Sequence, residues 1–390
     1  MKILVESSKL AKACALANKN IPGKTTLPII KNIHIAAEGN MLKVSSTDME
    51  TWVVYNVPAT VEYDDVPASF CLDASNITSL LQAIPSQPIT IEIQKNKPAA
   101  MGVFYYAKIT HSCGTSELPV QNAEEYPSLC PITSEGHTVP ADVLKKSIQT
   151  CRFAILSDAE LKPSLGNLCI DFKGNSMVSA ATNQFIIARF EQPDIEGEEM
   201  RYQIPPKTMA LLLLALDDVI KDKEALDVVH IRKNSNTICI QTDSASIYFC
   251  QTEHRYPNYD AVFGQYKSMG CHAVLNRMDL LSAVVRASLF TDAASMLLTF
   301  RFDGSKEYMT ICGKDIEFST SSEEKVRCEF TTGKSLSICF KATFIKDILL
   351  HLSSEQICLS MLDHSRPGIF TEENGNPNVK ILAMPFINNV

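Results

Sequence analysis

Internal repetition is the feature of this sequence that most restricts its fold. The stretches VESSKLAKACALA, VPADVLKKSIQTC and VLNRMDLLSAVVR begin at Val5, Val139 and Val274, at nearly equal intervals. Each reads as a strand end running into an amphipathic helix, because apolar spacing of period two gives way to spacing of period 3.6. Self-similarity at a fixed interval indicates a repeated architecture. The chain is therefore predicted to contain three related domains.

A second pattern recurs in step with the first. Strand, helix and strand follow one another from Ala68, from Met200 and from Leu336. Two helices among many short strands in each copy predict an α+β fold, with the helices packed on antiparallel sheets. Tyr-Pro turns at Tyr126 and Tyr256 mark the exits of the first two copies. The predicted domains are residues 1–130, 131–266 and 267–390.

Composition and the N-terminal stretch indicate the setting of the protein. The chain has 390 residues, 45% of them hydrophobic, and a formal net charge of -8. Neither a signal-peptide core nor a membrane-spanning stretch is found, which predicts a cytoplasmic protein without a membrane partner. Its 13 cysteines include no C-x-x-C pair, so they are predicted to be reduced thiols and not zinc ligands. The net negative charge disfavours a wholly basic nucleic-acid binder but leaves room for a local basic surface.

The predicted helices carry positive charge within this acidic chain. On the first helix Lys9 and Lys12 lie roughly opposite the apolar face at 100° per residue. The first helix of the central domain repeats the arrangement with Lys145, Lys146 and Arg152. One basic helix face is usually only solvated, but its repetition predicts a surface for non-specific phosphate contact. The predicted DNA-binding residues are Lys9, Lys12, Lys24, Lys145, Lys146, Arg152 and Lys207.

No catalytic pattern emerges from the sequence. IPGKTT at Ile21 contains the Gly-Lys-Thr of a phosphate-binding loop, but Asn18 occupies the place of the first glycine. We interpret it as a loop with an exposed Lys24. Nucleophile-elbow, zinc-protease and dinucleotide-binding patterns are also missing. The sequence predicts a non-catalytic protein without cofactor or metal, and an enzyme whose site is assembled from distant residues remains an alternative.

Five stretches together carry a specific resemblance. They are TLPIIKNIHI from Thr26, SSTDMETWVVYNV from Ser45, ATNQFIIARF from Ala181, HRYPNYDAVF from His254 and LAMPF from Leu382. In this order and spacing the whole chain resembles the bacterial sliding clamp family, the beta subunit of DNA polymerase III. The resemblance implies a head-to-tail homodimer that closes a ring of six similar domains around double-stranded DNA. Such a processivity factor slides without reading bases and tethers the replicative polymerase.

The resemblance also implies an apolar groove in which DNA polymerase, the clamp loader and repair proteins dock short linear peptides. The family usually has Asp-Gly-His-Arg-Leu where this chain has Asn183 to Ile187, and often a basic residue in place of Ala261. A divergent paralogue or a non-DNA ring scaffold with changed partners is therefore the alternative function. By position, the implied groove residues are Leu165, Thr182, Gln184, Phe185, Ile187, Pro257, Val262, Phe344, Ser365, Pro367, Leu382, Met384, Pro385 and Phe386.

The implied dimer contact lies in the stretch ASLFTDAASM from Ala287. This stretch aligns with the part of domain three that meets domain one of the other subunit in the family. Leu289 and Phe290 are its large apolar residues, so they are predicted to anchor the interface.

Overall fold

The computed structural model describes residues 1–64, 68–95, 105–130, 132–221, 227–266, 269–331 and 335–387. Three short 3-10 helices span Pro28–Lys31, Arg152–Ala154 and Pro163–Gly166. The α-helices of these residues are α1 (Ser7–Asn20), α2 (Ala74–Ala83), α3 (Ala141–Cys151), α4 (Pro206–Lys221), α5 (Tyr259–Gln265), α6 (Arg277–Ser288) and α7 (Ala342–His351).

The strands pair antiparallel throughout the assigned ladders. In chain order they are β1 (Lys2–Glu6), β2 (Asn32–Glu38), β3 (Met41–Thr47), β4 (Thr51–Glu62), β5 (Ser69–Asp73), β6 (Pro88–Lys95), β7 (Tyr105–His111), β8 (Gly114–Asn122), β9 (Gly136–Pro140), β10 (Leu168–Phe172), β11 (Ser176–Thr182), β12 (Ile186–Pro193), β13 (Met200–Ile204), β14 (Val228–Asn234), β15 (Thr237–Gln241), β16 (Ala245–Cys250), β17 (Cys271–Asn276), β18 (Leu297–Phe302), β19 (Tyr308–Asp315), β20 (Thr320–Phe330), β21 (Leu336–Lys341), β22 (Gln356–Met361), β23 (Gly368–Glu373) and β24 (Val379–Ala383).

The predicted α+β fold is confirmed, and its repeated units are visible in the element order. A strand runs directly into a helix at β1–α1, β9–α3 and β17–α6. Strand, helix and strand recur as β5–α2–β6, β13–α4–β14 and β21–α7–β22. The short helix α5 was not predicted, because its segment follows Pro257 and read as a turn at the domain exit.

The first of two compact units comprises Met1–Asp142 and Lys207–Gln251. Its sheet has the strand order β1-β6-β7-β8-β5-β2-β3-β4-β16-β15-β14-β9, and β1 also pairs with β4. Helix α1 packs on α2 and on β4. It buries Leu10, Cys14 and Ala17 and exposes its lysines, because the apolar residues recur at helical spacing.

The second unit comprises Val143–Pro206 and Thr252–Val390. Its sheet has the strand order β13-β10-β11-β12-β24-β23-β22-β17-β20-β19-β18-β21. The C-terminal stretch supplies β24, which lies between β12 and β23, so the first two residues of LAMPF, Leu382 and Ala383, belong to a buried strand. Along the described part of the chain, no helix is both long and apolar enough to cross a membrane.

Candidate functional site

A cavity of about 580 Å³ in the second unit forms the first part of the candidate site. The loop before β10, the hairpin between β11 and β12, and helix α5 supply its lining. The predicted groove residues that line it are Leu165, Thr182, Gln184, Ile187, Pro257 and Val262. The sequence interpretation missed Leu161, Lys162, Pro163, Ser164, His254, Arg255 and Tyr259.

The missed residues differ in how far the sequence could have revealed them. His254, Arg255 and Tyr259 all belong to the HRYPNYDAVF stretch, so the resemblance already pointed to their segment. Leu161 lies in a loop without periodicity, and its side chain is 97% exposed. A large apolar residue so exposed beside an apolar cavity is typical of a binding surface.

A tight turn joins β11 to β12 at the edge of the cavity. The Asn183 side-chain oxygen accepts the backbone N–H of Phe185 at 3.1 Å and of Ile186 at 2.8 Å. Gln184 has a φ of 81°, a left-handed conformation that suits glycine better than any residue with a side chain. Its side chain accepts a hydrogen bond from Lys162 Nζ at 2.7 Å. The turn therefore has a backbone conformation typical of glycine, at a position where the family that the chain resembles usually has glycine.

Gln184→Gly is expected to unfold at a higher temperature than Gln184→Ala. Both variants lose the hydrogen bond from Lys162, but only glycine relieves the left-handed strain, which costs other residues ~1–2 kcal/mol. The greater freedom of glycine in the unfolded chain offsets part of this gain. Thermal unfolding under identical conditions measures the difference, and a lower midpoint for the glycine variant would contradict the strain.

Three aromatic rings form the second part of the candidate site. The Phe185 ring lies 5.7 Å from that of Phe344 and 5.8 Å from that of Phe386, centroid to centroid. Phe344 and Phe386 are 6.2 Å apart, and the Lys341 ammonium lies 5.7 Å from the Phe344 centroid. Phe185 nevertheless remains 45% exposed. These three predicted groove residues therefore form an accessible aromatic cluster next to the turn that borders the cavity.

The C-terminal tail holds one side of this cluster in place. The Met384 N–H donates to the Phe185 carbonyl at 2.8 Å, and the Phe386 N–H donates to the Cys339 carbonyl at 2.9 Å. Met384 is exposed and Pro385 is partly exposed, as a groove wall requires. Residues 388–390 lie outside the described residues.

The remaining predicted groove residues are less accessible or lie in a neighbouring turn. Leu382 is buried between Ile187 and Ile369, its register partners in β12 and β23. Pro367 is buried just before β23. Ser365 is exposed, and its hydroxyl donates to Asp363 at 2.8 Å. Leu382 and Pro367 are thus buried and do not line the cavity.

Two tyrosines of the HRYPNYDAVF stretch are buried next to each other, and one of them, Tyr259, also lines the cavity. Tyr256 and Tyr259 are buried against Cys169, Val178 and Ala180, with Ile187 packed on the same cluster. Burial raises the pKa of both phenols well above the ordinary value, so both hydroxyls keep their protons at physiological pH. They can therefore act as permanent hydrogen-bond donors.

The predicted DNA-binding cations of the first unit differ in their partners. Lys9 and Lys24 are exposed and take part in no ion pair with a described residue. Lys12 Nζ lies 3.5 Å from a carboxylate oxygen of Asp218. Lys207 forms an ion pair with Asp48 and also donates to the Asn20 carbonyl. Because Lys12 and Lys207 are paired, they offer less free charge than the sequence suggested.

The predicted cations of the second unit follow one another along α3 and the 3-10 helix after it. Lys146 and Arg152 are exposed, whereas Lys145 is half-buried. The same helix buries Leu144, Ile148 and Cys151. The helix therefore has the apolar and basic faces that its sequence predicted.

Leu289 and Phe290 lie directly after α6, where they pack poorly within a single chain. Their side chains are 77% and 40% exposed. Large apolar residues side by side on a surface are typical of a contact with another protein.

Among the described residues, no group of three or more His, Cys, Asp or Glu side chains is placed to hold a metal ion.

Two protein-family models match the chain. The N-terminal domain of the DNA polymerase III beta subunit matches residues 1–130, and the C-terminal domain of the same subunit matches residues 267–387. Among full-length relatives, the beta sliding clamp of Synechocystis sp. is 23% identical over 401 residues, and that of Streptomyces coelicolor is 25% identical over 403 residues. Each alignment covers 99% of both chains.

Solved structures with the same fold include two bacterial beta subunits. The DNA polymerase III beta subunit of Thermotoga maritima has a TM-score of 0.85 at 19% identity and 99% coverage of both chains. The sliding clamp of Pseudomonas aeruginosa bound to griselimycin has a TM-score of 0.86 at 18% identity and full coverage of both chains. The fold described above is therefore shared along the entire length of these proteins.

Proposed function

The chain belongs to the DNA polymerase III beta-subunit family, and we propose that it is a DNA sliding clamp. It is a non-catalytic processivity factor that encircles duplex DNA and tethers the replicative polymerase and other partners. The observation that carries this proposal is the match to the family at both ends of the chain. Its place of action is the cytoplasm, where bacterial DNA is replicated.

The working form is a head-to-tail homodimer in which each chain contributes three domains. The division at residues 1–130, 131–266 and 267–390 is supported by the limits of the two family matches and by the repeated strand–helix units. The exposed Leu289 and Phe290 support an interface at the end of α6. A head-to-tail contact of this kind closes into a ring when the rotation between subunits returns to the start.

Contact with DNA is proposed for Lys9, Lys12, Lys24, Lys145, Lys146, Arg152 and Lys207. Lysines and arginines on helix faces can neutralise phosphates without reading base edges. The exposed cations Lys9, Lys24, Lys146 and Arg152 take part in no ion pair with a described residue, so they are expected to contribute most. This mode of binding holds DNA while leaving the ring free to slide.

Replacing Lys9, Lys146 and Arg152 together by glutamine is expected to weaken DNA binding for all sequences alike. Each lost phosphate contact should flatten the slope of log affinity against log salt by ~0.9, because fewer counterions are released. Fluorescence anisotropy with duplexes of unrelated sequence, measured over a series of salt concentrations, gives the slope. Lys207→Gln should change it less, since Lys207 is already paired with Asp48.

Lys43→Gln is the matched control for this charge removal. Lys43 is a partly exposed lysine on strand β3 and is paired with Glu38 at 2.6 Å. Its loss should leave the salt slope unchanged. A change of sequence preference in the triple variant would show that these cations belong to another kind of surface.

The proposed groove combines the cavity and the aromatic cluster of the second unit. Six of its residues line the cavity, and Phe185, Phe344 and Phe386 form the cluster beside it. Short linear peptides of DNA polymerase, the clamp loader and repair proteins are the proposed ligands, since a few apolar anchors can carry the affinity of such grooves. Because Phe185 joins the cluster here, the peptide preference is expected to differ from that of relatives with a polar residue at this position.

Loading onto circular DNA tests the function as a whole. The homodimer, placed on nicked circular DNA by a clamp loader, should stay bound through a high-salt wash and be released when the circle is linearised. Retention after linearisation would indicate ordinary adhesion to DNA. Failure to remain on the circle would instead favour a ring scaffold that does not act on DNA.

A further inference from the structure

The carboxylate of Asp171 is a buried charge next to the proposed groove. Asp171 lies in β10 and is 4% exposed. Its register partner in β13 is Arg201, whose Nε lies 2.5 Å from Oδ1 and whose Nη2 lies 2.7 Å from Oδ2. The Tyr259 hydroxyl donates to the same Oδ2 at 2.5 Å. Both oxygens of the carboxylate are therefore engaged in charge-assisted hydrogen bonds.

Stability alone is a poor explanation for this arrangement. Taking a carboxylate out of water is costly, and a buried ion pair is often no more stabilising than apolar residues of similar volume. What the pair adds is a fixed orientation of the side chains. The two N–H groups of Arg201 fix the plane of the Asp171 carboxylate, and the carboxylate in turn fixes the position of the Tyr259 hydroxyl.

Tyr259 connects this network to the wall of the groove. It is the first residue of α5, and it lines the cavity together with Pro257 and Val262. Helix α5 has seven residues, too few for a helix to be stable by itself in water. Asn258 caps it by accepting the Ala261 N–H at 3.1 Å. The position of α5 therefore depends on contacts with the sheet below.

A second, weaker anchor acts on the next residue of α5. Asp260 forms an ion pair with Lys173, and Arg189 Nε lies 3.6 Å from its other oxygen. The Lys173 ammonium also lies 5.2 Å from the centroid of the Tyr259 ring. The Asp260 side chain is 45% exposed, so water screens these ion pairs and reduces their contribution. The hydrogen bond of the Tyr259 hydroxyl is buried and less screened by water, so it is the stronger anchor of α5.

We propose that Asp171, with Arg201 behind it, is a positioning residue of the peptide groove. Through the Tyr259 hydroxyl it holds α5, and thereby sets the distance of Pro257 and Val262 from the wall formed by the β11–β12 hairpin. Asp171 does not itself touch the peptide. The inference rests on the proposed peptide-binding function for its effect on affinity, but the placement of α5 can be measured without any ligand.

Tyr259→Phe in the full-length dimer tests this inference. The change keeps the ring and removes only the hydroxyl. If one in ten molecules then holds α5 in the binding position, the apparent Kd for a peptide rises about tenfold. Fluorescence anisotropy with a labelled peptide that starts with Gln-Leu and ends with Leu-Phe measures Kd. Amide hydrogen exchange of the free protein should become faster in α5 and stay unchanged in β10 and β11.

Tyr126→Phe is the matched control, and Arg201→Lys is a second test. The Tyr126 hydroxyl is buried in the first unit, whereas α5 belongs to the second, so removing this hydroxyl should leave Kd and α5 exchange unchanged. Arg201 is partly exposed, and lysine keeps its charge without the fork, so a smaller rise in Kd than for Tyr259→Phe is expected.

Three outcomes distinguish a failure of α5 positioning by Asp171 from a failure of peptide binding. Unchanged α5 exchange and unchanged Kd in Tyr259→Phe would overturn the positioning role. Faster exchange throughout β10 and β11 would also overturn it, since the network would then support the whole sheet. If the unmodified protein binds no peptide while Tyr259→Phe still loosens α5, the groove function fails and the positioning of α5 by Asp171 stands.

Discussion

Replacing Leu289 and Phe290 together by alanine is expected to convert the homodimer into folded monomers. Leu289 is 77% and Phe290 40% exposed in the single chain, so truncating them removes less packing within a subunit than truncating buried residues would. In the proposed head-to-tail dimer they are expected to anchor two equivalent contacts. A buried apolar anchor is typically worth ~2 kcal/mol, so the loss of two of them should weaken each of the two contacts ~1000-fold. Sedimentation at low micromolar concentration should show monomers.

Leu350→Ala is the control for this double substitution. Leu350 is also a large, exposed apolar residue, at 59% exposure, but it lies on α7 and outside the predicted contact. Its dimer should remain intact. A double variant that sediments as the unmodified dimer would show that the contact between subunits lies elsewhere.

Deleting Met384–Val390 is expected to abolish most peptide binding while leaving a folded dimer. The deletion removes the Phe386 ring from the aromatic cluster but retains β24, which ends at Ala383. Loss of one buried aromatic anchor typically costs ~2 kcal/mol or more, so we expect at least a ~30-fold rise in Kd. Fluorescence anisotropy with the same labelled peptide measures it.

Point variants in the tail show which residue causes the loss. Phe386→Ala should reproduce most of the effect, and Met384→Ala should weaken binding by less because it removes a single contact. Ile387→Ala should leave Kd unchanged. Ile387 is 71% exposed, and it lies neither in the lining of the cavity of about 580 Å³ nor in the aromatic cluster. Equal affinity of the truncated and full-length proteins would show that the tail serves only as the end of the sheet.

Periodicity and repetition were sufficient to predict the fold class from the sequence. The strand-to-helix transitions at Val5, Val139 and Val274 are local patterns, and the structure has β1–α1, β9–α3 and β17–α6 at these places. Helix α5 was missed because seven residues after a proline carry too little periodicity to be distinguished from a turn. Its existence depends on the capping by Asn258 and on the packing of Tyr259.

The candidate site was predictable only where one segment supplies several residues. The turn at Asn183 and the tail at Met384 were both recognised through the resemblance. The ion pairs could not be predicted from the sequence of one segment. Asp171 and Arg201 are 30 residues apart, and only the register of β10 and β13 brings them together. Lys207 meets Asp48 across a still larger separation of 159 residues, and counting charges along the sequence treated it as free.

The two long sheets restrict which segments of this chain can be produced as separate folded fragments. Strand β16 of the central repeat pairs with β4 of the first, and β12 of the central repeat pairs with β24 of the last. If the chain were divided near residue 130 and the two pieces separated, the ladder between β4 and β16 would be lost. The unpaired N–H and C=O groups of both strands would then be open to pairing with strands of other chains. A central repeat transplanted from a relative would have to bring edges that fit both neighbours.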